Sequence, residues 1–267
     1  GYAGIDLGPV GYLGSGAELA DRLAVRGLGL AGAYLELPYP DEAALERLLP
    51  DLDAMLDVFD AVAGRLPGPP PHPTIADAGS PARRAWPGRA HADPTLGLDA
   101  DAWRRFGSGL RRVLARCRYR GYEPTFHHET GTYVEAPWEI ERVLEVSDAN
   151  LCLDTGHFLI GGGDPVAFLQ QWAGRVNQVH LKDARTGTMA TLVEAGEPVE
   201  AVWSREVFPR LGEGDLDVDG VLERLRSDGY TGWLVVEQDT LPRTPERFAQ
   251  AAADQVANRE FLRARGL

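Results

Sequence analysis

The sequence predicts an α/β fold, a (β/α)₈ barrel of parallel strands wrapped by helices. Three observations carry it. Short apolar runs alternate with amphipathic helical stretches along the chain, the pattern of parallel strands joined by crossover helices. No change of composition divides the 267 residues, so 1–267 read as a single domain, of a size that α/β barrels commonly reach. No G-x-G-x-x-G links a strand to a helix, which weighs against a doubly wound nucleotide-binding sheet, the other arrangement with this alternation.

AGIDL (3–7) is the first candidate strand and ELADRLAVRG (18–27) the first helix. GLGLAGAYLEL (27–37) is the second strand. In the helix that follows, 41–66, Leu45, Leu48, Leu49, Leu52, Met55, Leu56, Phe59 and Val62 recur at the spacing of a one-sided helix. Pro50 is expected to kink that helix or split it. LPGPPPHP (66–73) is a stiff connector, and HPTIADAG (72–79) holds a weaker third strand. Then come helix 98–121, strand PTFHHE (124–129), helix 137–147, strand ANLCLD (149–154) and helix 164–175. VNQVHLKD (176–183), helix 216–229, GWLVVEQD (232–239) and helix 244–266 complete the series. Several helices begin at an Asp, Thr or Pro suited to a cap or first turn. The long span 184–212 reads as a lid or insertion. GGG at 161–163 follows a strand but lacks the Lys-Ser/Thr of a phosphate loop. Because the chain opens almost directly on Gly4-Ile5-Asp6-Leu7, the barrel is expected to lack its opening strand–helix unit here.

The formal net charge of −13 repels phosphate backbones, so nucleic acid is not an expected partner. Small neutral or cationic molecules suit such a surface. Cys117 and Cys152 are the only cysteines, and both read as reduced, buried thiols. No apolar run approaches the ~18–20 residues of a membrane span, and no charged-then-apolar leader opens the sequence. The expectation is a cytoplasmic protein with no membrane partner. A homo-oligomer is left open.

The polar residues fall where chemistry would need them. His127, His128, His157 and His180 lie at or just past the carboxyl ends of candidate strands, with Glu129, Asp154, Lys182, Asp183, Glu237 and Asp239. In a parallel barrel these ends share one face, where active sites are assembled. Histidine with carboxylate and no cysteine suits a divalent cation such as Mn²⁺, Mg²⁺, Co²⁺ or Zn²⁺. Plainer readings compete. An Asp after a strand is often a helix cap, although DTGH at 154–157 reads as running into a loop. His72 and His91 are expected to be spectators, His128 to face away from His127 and Glu129, and Lys182 with Asp183 to be a surface ion pair. Glu237 resists a plain reading, because a buried unpaired carboxylate is costly.

LCLDTGH (151–157), VHLKD (179–183), LGEGDLDVDGVLERLRSDGYTGWLVVE (211–237) and HHETGT (127–132) resemble the sugar isomerase/epimerase-like TIM barrels, the xylose isomerase-like superfamily. GYAGIDLGPVGYLG (1–14), LGLDADAWRRFG (96–107) and the histidine-rich strand end draw the resemblance toward inosose dehydratases. In the epimerase branch Glu, Asp, His and Glu from four strands hold the metal. The resemblance carries the last three to Asp154, His180 and Glu237. Counting back from Gly131 puts His127 on the first position, and Glu129 lies two residues on; either could ligate. Inosose dehydratases carry a histidine where this chain has Glu129. His157 matches the substrate-contacting histidine of D-x-x-H.

The resemblance implies a small polyhydroxylated ketone as substrate and a lyase reaction, dehydration of a keto-cyclitol (inosose) through an enediolate. Mn²⁺ or Co²⁺ is the expected metal, held by His127, Asp154, His180 and Glu237. Glu129 or Glu237 would serve as base, with His157 and Lys182 on hydroxyls or the enediolate. A ketose or hydroxypyruvate isomerase or 3-epimerase, and a non-catalytic sugar-binding barrel, are the alternatives.

Overall fold

The computed structural model describes residues 1–8 and 10–267. Its first half runs β1 (Gly4–Asp6), α1 (Gly16–Ala24), β2 (Gly29–Leu37), α2 (Glu42–Val62), β3 (His72–Asp77), α3 (Pro81–Ala85), α4 (Ala100–Tyr119) and β4 (Thr125–His127). The second half runs α5 (Pro137–Val146), β5 (Asn150–Asp154), α6 (Thr155–Ile160), α7 (Pro165–Trp172) and β6 (Val176–Leu181). It closes with α8 (Thr186–Ala195), α9 (Glu200–Ser204), α10 (Val218–Ser227), β7 (Trp233–Val236) and α11 (Pro245–Arg263).

The seven strands form one parallel sheet in chain order, a nearly closed barrel. Among the described residues β1 and β7 pair on one side only, so a seam runs between them. Every residue of these two edge strands is partly exposed, whereas β4 is wholly buried and β5 and β6 nearly so. Central parallel strands are covered on both faces and read as apolar runs; edge strands are not.

The main core lies between strands and helices, where Leu45, Leu52, Met55, Leu56 and Phe59 of α2 meet Leu110, Val113 and Leu114 of α4 and Phe126 of β4. Pro50 does not split or end α2; one helix runs through. Its first turn is fixed by Asp41, whose carboxylate accepts from the Ala44 amide at 2.9 Å. The span 184–212, expected to be a lid or insertion, is structured. It folds into α8 and α9 around a small core of its own, with Met189, Leu192, Val199, Val202, Val207 and Phe208. Both cysteines are free and buried. No helix among the described residues is long and apolar enough to cross a membrane.

Candidate metal centre

Four strand ends converge. His127 ends β4, Asp154 ends β5, His180 is the penultimate residue of β6, and Glu237 follows β7 directly. The parallel register sets Asp154 beside His180 and Leu181 beside Val236, and the Glu237 amide donates to the Leu181 carbonyl. Ligand atoms of these four residues all lie within 4.8 Å of one another. His180 Nδ1 is 2.7 Å from Glu237 Oε2 and 3.8 Å from Asp154 Oδ2, and His127 Nε2 is 3.4 Å from Asp154 Oδ2.

The donor set fits a divalent cation. Asp154 Oδ2, Glu237 Oε2, His127 Nδ1 and both nitrogens of His180 are buried with no hydrogen-bond partner. A folded chain seldom leaves that many polar atoms unsatisfied in one place unless something else meets them. Two imidazoles and two carboxylates suit Mn²⁺, Co²⁺ or Zn²⁺. Cys152 also faces His127 and His180, but burial pushes its thiol up, away from the thiolate that metals bind.

Asp154 corrects the reading that DTGH runs into a loop. It caps α6, a short helix: Oδ1 accepts from the Gly156 and His157 amides at 3.0 and 2.9 Å. The other oxygen faces the cluster, with the Lys182 ammonium 3.0 Å away. A carboxylate has two oxygens, so cap and ligand are not alternatives. Glu237 is also less enclosed than its apolar run suggested, its side chain 32% exposed on the cavity.

Lys182 and Asp183 are not a surface pair; both are fully buried. The ammonium of Lys182 lies 2.8 Å from Asp239, 3.0 Å from Asp154 and 3.2 Å from Glu237. Burial works to lower it, and these carboxylates outweigh burial and hold it well above its ordinary range. Asp183 turns the other way, accepting from the amides of Ala184, Gly212, Gly214 and Leu216, and so pins the segment leading to α10. His128 is buried edge-on to Phe158, but its ring also stacks on His127 at 5.8 Å and its Nε2 accepts from the Asp154 amide at 3.3 Å, so it lies against the cluster rather than apart from it.

Glu129 lies beside the four rather than among them. Its Oε1 is 3.0 Å from His157 Nε2, and its Oε2 is 3.5 Å from His127 Nδ1. His157 Nδ1 meets the Thr130 hydroxyl at 2.8 Å, and its ring stands edge-on to Phe208. Burial works against charge on both partners. Their mutual attraction prevails, lowering the Glu129 carboxyl and, with Asp154, raising the His157 imidazolium to about 10.

A cavity of about 1120 Å³ opens over His127, Glu129, His180, Glu237 and Asp239 and reaches the seam, touching Ile5, Trp233 and Leu234. It is also lined by Asp6, Tyr34, Glu36 and Arg84, none of which the sequence reading placed at the site. For Asp6 and Glu36 the signal was present, a carboxylate at a strand's carboxyl end. For Phe208, which lies in the 184–212 span, there was none. His72 and His91 stay outside, as read: His72 bonds the Glu123 carbonyl and His91 packs on Gly162.

The chain is similar to known proteins. The inosose dehydratase of Geobacillus kaustophilus is 27% identical over 263 residues, 96% of this chain and 82% of that one. The rhizopine catabolism protein MocC of Rhizobium meliloti is 31% identical over 96% of this chain and 77% of its own length. Among solved structures, the IOLI protein with a bound zinc atom superposes with a TM-score of 0.62 at 15% identity, over 90% of this chain and 79% of that one. Residues 1–264 match the family described as xylose isomerase-like TIM barrel, and the chain belongs to it.

Proposed function

We propose that the chain is a metal-dependent hydro-lyase that dehydrates a keto-cyclitol, an inosose, through an enediolate. One observation carries this reading: a two-histidine, two-carboxylate cluster, buried but for Glu237, beside a Glu129–His157 pair, both at the carboxyl end of the barrel. Resemblance to relatives named inosose dehydratase supports the substrate class. His127, Asp154, His180 and Glu237 would hold the cation, Mn²⁺ or Co²⁺ before Zn²⁺ or Mg²⁺. The zinc of the IOLI protein supports a divalent ion. When bound, the cation supplies Lewis acidity, which acidifies the proton beside the ketone.

The remaining work falls to the chain's own side chains. Glu129, held ionised by His157, takes the proton from carbon. Lys182 places a positive charge where negative charge develops. His157, held protonated, delivers a proton to the departing β-hydroxyl, which leaves as water while the carbon–carbon double bond forms. The test is to load the purified protein with Mn²⁺, add inosose and follow the diketone by ultraviolet absorbance. Growth of that band with loss of one water supports the reading. An isomerised or epimerised ketone with its oxygens intact points to the isomerase alternative, and bound but unchanged inosose to the sugar-binding one.

A further inference from the structure

A second polar cluster lines the cavity, at its rim. Tyr34 and Glu36 lie two apart on β2 and so share the inward face. Arg84 reaches them from α3, its Nη2 donating to Glu36 Oε2 at 2.8 Å and to the Ala78 carbonyl at 3.4 Å. The Tyr34 hydroxyl is 3.3 Å from Glu36 Oε1 and 3.5 Å from Glu129 Oε2. Contacts therefore run without a break from Arg84 at the rim to Glu129 at the centre.

Two facts distinguish this cluster from a clasp that merely holds α3. The neighbouring Arg83 already does that, 4% exposed and forked onto the fully buried Glu139 at 2.7 and 3.0 Å. Arg84 and Glu36 instead keep 36% and 35% of their side chains exposed, on the cavity. The second fact is a proton count. The Tyr34 phenol has one proton and faces two carboxylates, so one acceptor position is always unfilled.

We propose that Glu36, Arg84 and Tyr34 grip the ring hydroxyls of the cyclitol remote from its ketone, which makes the rim pair a determinant of specificity for a neutral polyol. The proposal rests on the substrate reading given above. A carboxylate accepts from adjacent hydroxyls and a guanidinium donates to their oxygens, so the pair complements a vicinal diol. Phosphorylated or carboxylated substrates are disfavoured. Glu36 already neutralises Arg84, and the lining sets the carboxylates of Asp6, Glu129, Glu237 and Asp239 against one further guanidinium, that of Arg259.

The test uses Mn²⁺-loaded protein and myo-inositol, which lacks the ketone and is not turned over. Calorimetry should show Glu36→Ala and Arg84→Ala each weakening binding by about 10- to 100-fold with metal content unchanged. Among monodeoxy-inositols, the one missing the gripped hydroxyl should bind the native protein poorly, and Glu36→Ala should no longer tell it from myo-inositol. Two results overturn the proposal alone: variants that bind myo-inositol as the native protein does, or variants weakened equally toward every analogue. Native loaded protein that binds no cyclitol sinks the substrate reading, and this inference with it.

Discussion

Single side chains decide the chemistry, and Asp154 decides two things at once. Its Oδ1 caps α6 while Oδ2 faces the cluster. Asn can cap as Asp does, so Asp154→Asn should lose the metal with the cap kept. Asp154→Ala should lose both, unfolding about 1 kcal/mol more easily than the Asn variant. Chemical denaturation of the two metal-free variants measures that gap, and no gap would mean the cap is idle. The pair His127 and Glu129 separates in the same way. Since His127 lies within the cluster and Glu129 on His157, His127→Ala should come out of dialysis without stoichiometric metal. Glu129→Gln should retain it and turn over inosose about 100-fold or more slowly. Metal found in the first variant and missing from the second would reverse the roles. The strand-tip residues were legible because side chains alternate and parallel strands present their ends together. Which of His127 and Glu129 faces the cluster was not, since residues two apart share a face and only the third dimension separates them.

At the level of the element, the ends of β3 and α3 show how the fold tolerates a buried charge. Asp77 is 1% exposed, and its Oδ2 accepts from the Gly79 and Tyr133 amides. Burial nevertheless raises its carboxyl from 3.8 to about 6. With the folded value above the unfolded one, the folded chain binds the proton more tightly. This group's contribution is full below about pH 4 and is lost as pH climbs to about 6, a difference of about 3 kcal/mol. Asp77→Asn keeps an acceptor for both amides and removes the titration. Urea midpoints should therefore show it at least as stable as the native chain at pH 8, with a flatter profile between pH 4 and 6. A variant weaker by more than about 1 kcal/mol at pH 8 would show that the charge itself stabilises. Elements with strong periodicity, such as α2 and α4, could be read from the sequence to within a few residues. The helices α8 and α9 could not, because their residues gather around Phe208 and Val199 rather than along a stripe of their own. The one-and-a-half turns of α6 were too short to leave a pattern.

For the whole molecule, strand–helix alternation was enough to predict a parallel barrel, and apolar run length enough to find its seven strands. What sequence could not convey was how unevenly those strands are held. The seam leaves β1 and β7 with one neighbour each, every residue partly exposed, while β5 lies buried between two partners. Amide protons should record that inequality. Under native conditions, Trp233–Val236 and Gly4–Asp6 should trade hydrogen for deuterium through small local fluctuations, far ahead of Leu151–Asp154, which wait for global unfolding. Equal rates across the sheet would mean the barrel opens as one unit. A graded order would place Glu237, at the tip of β7, on the most loosely held of the four strands that form the centre. Of the four, its contact with the cluster would then break most often.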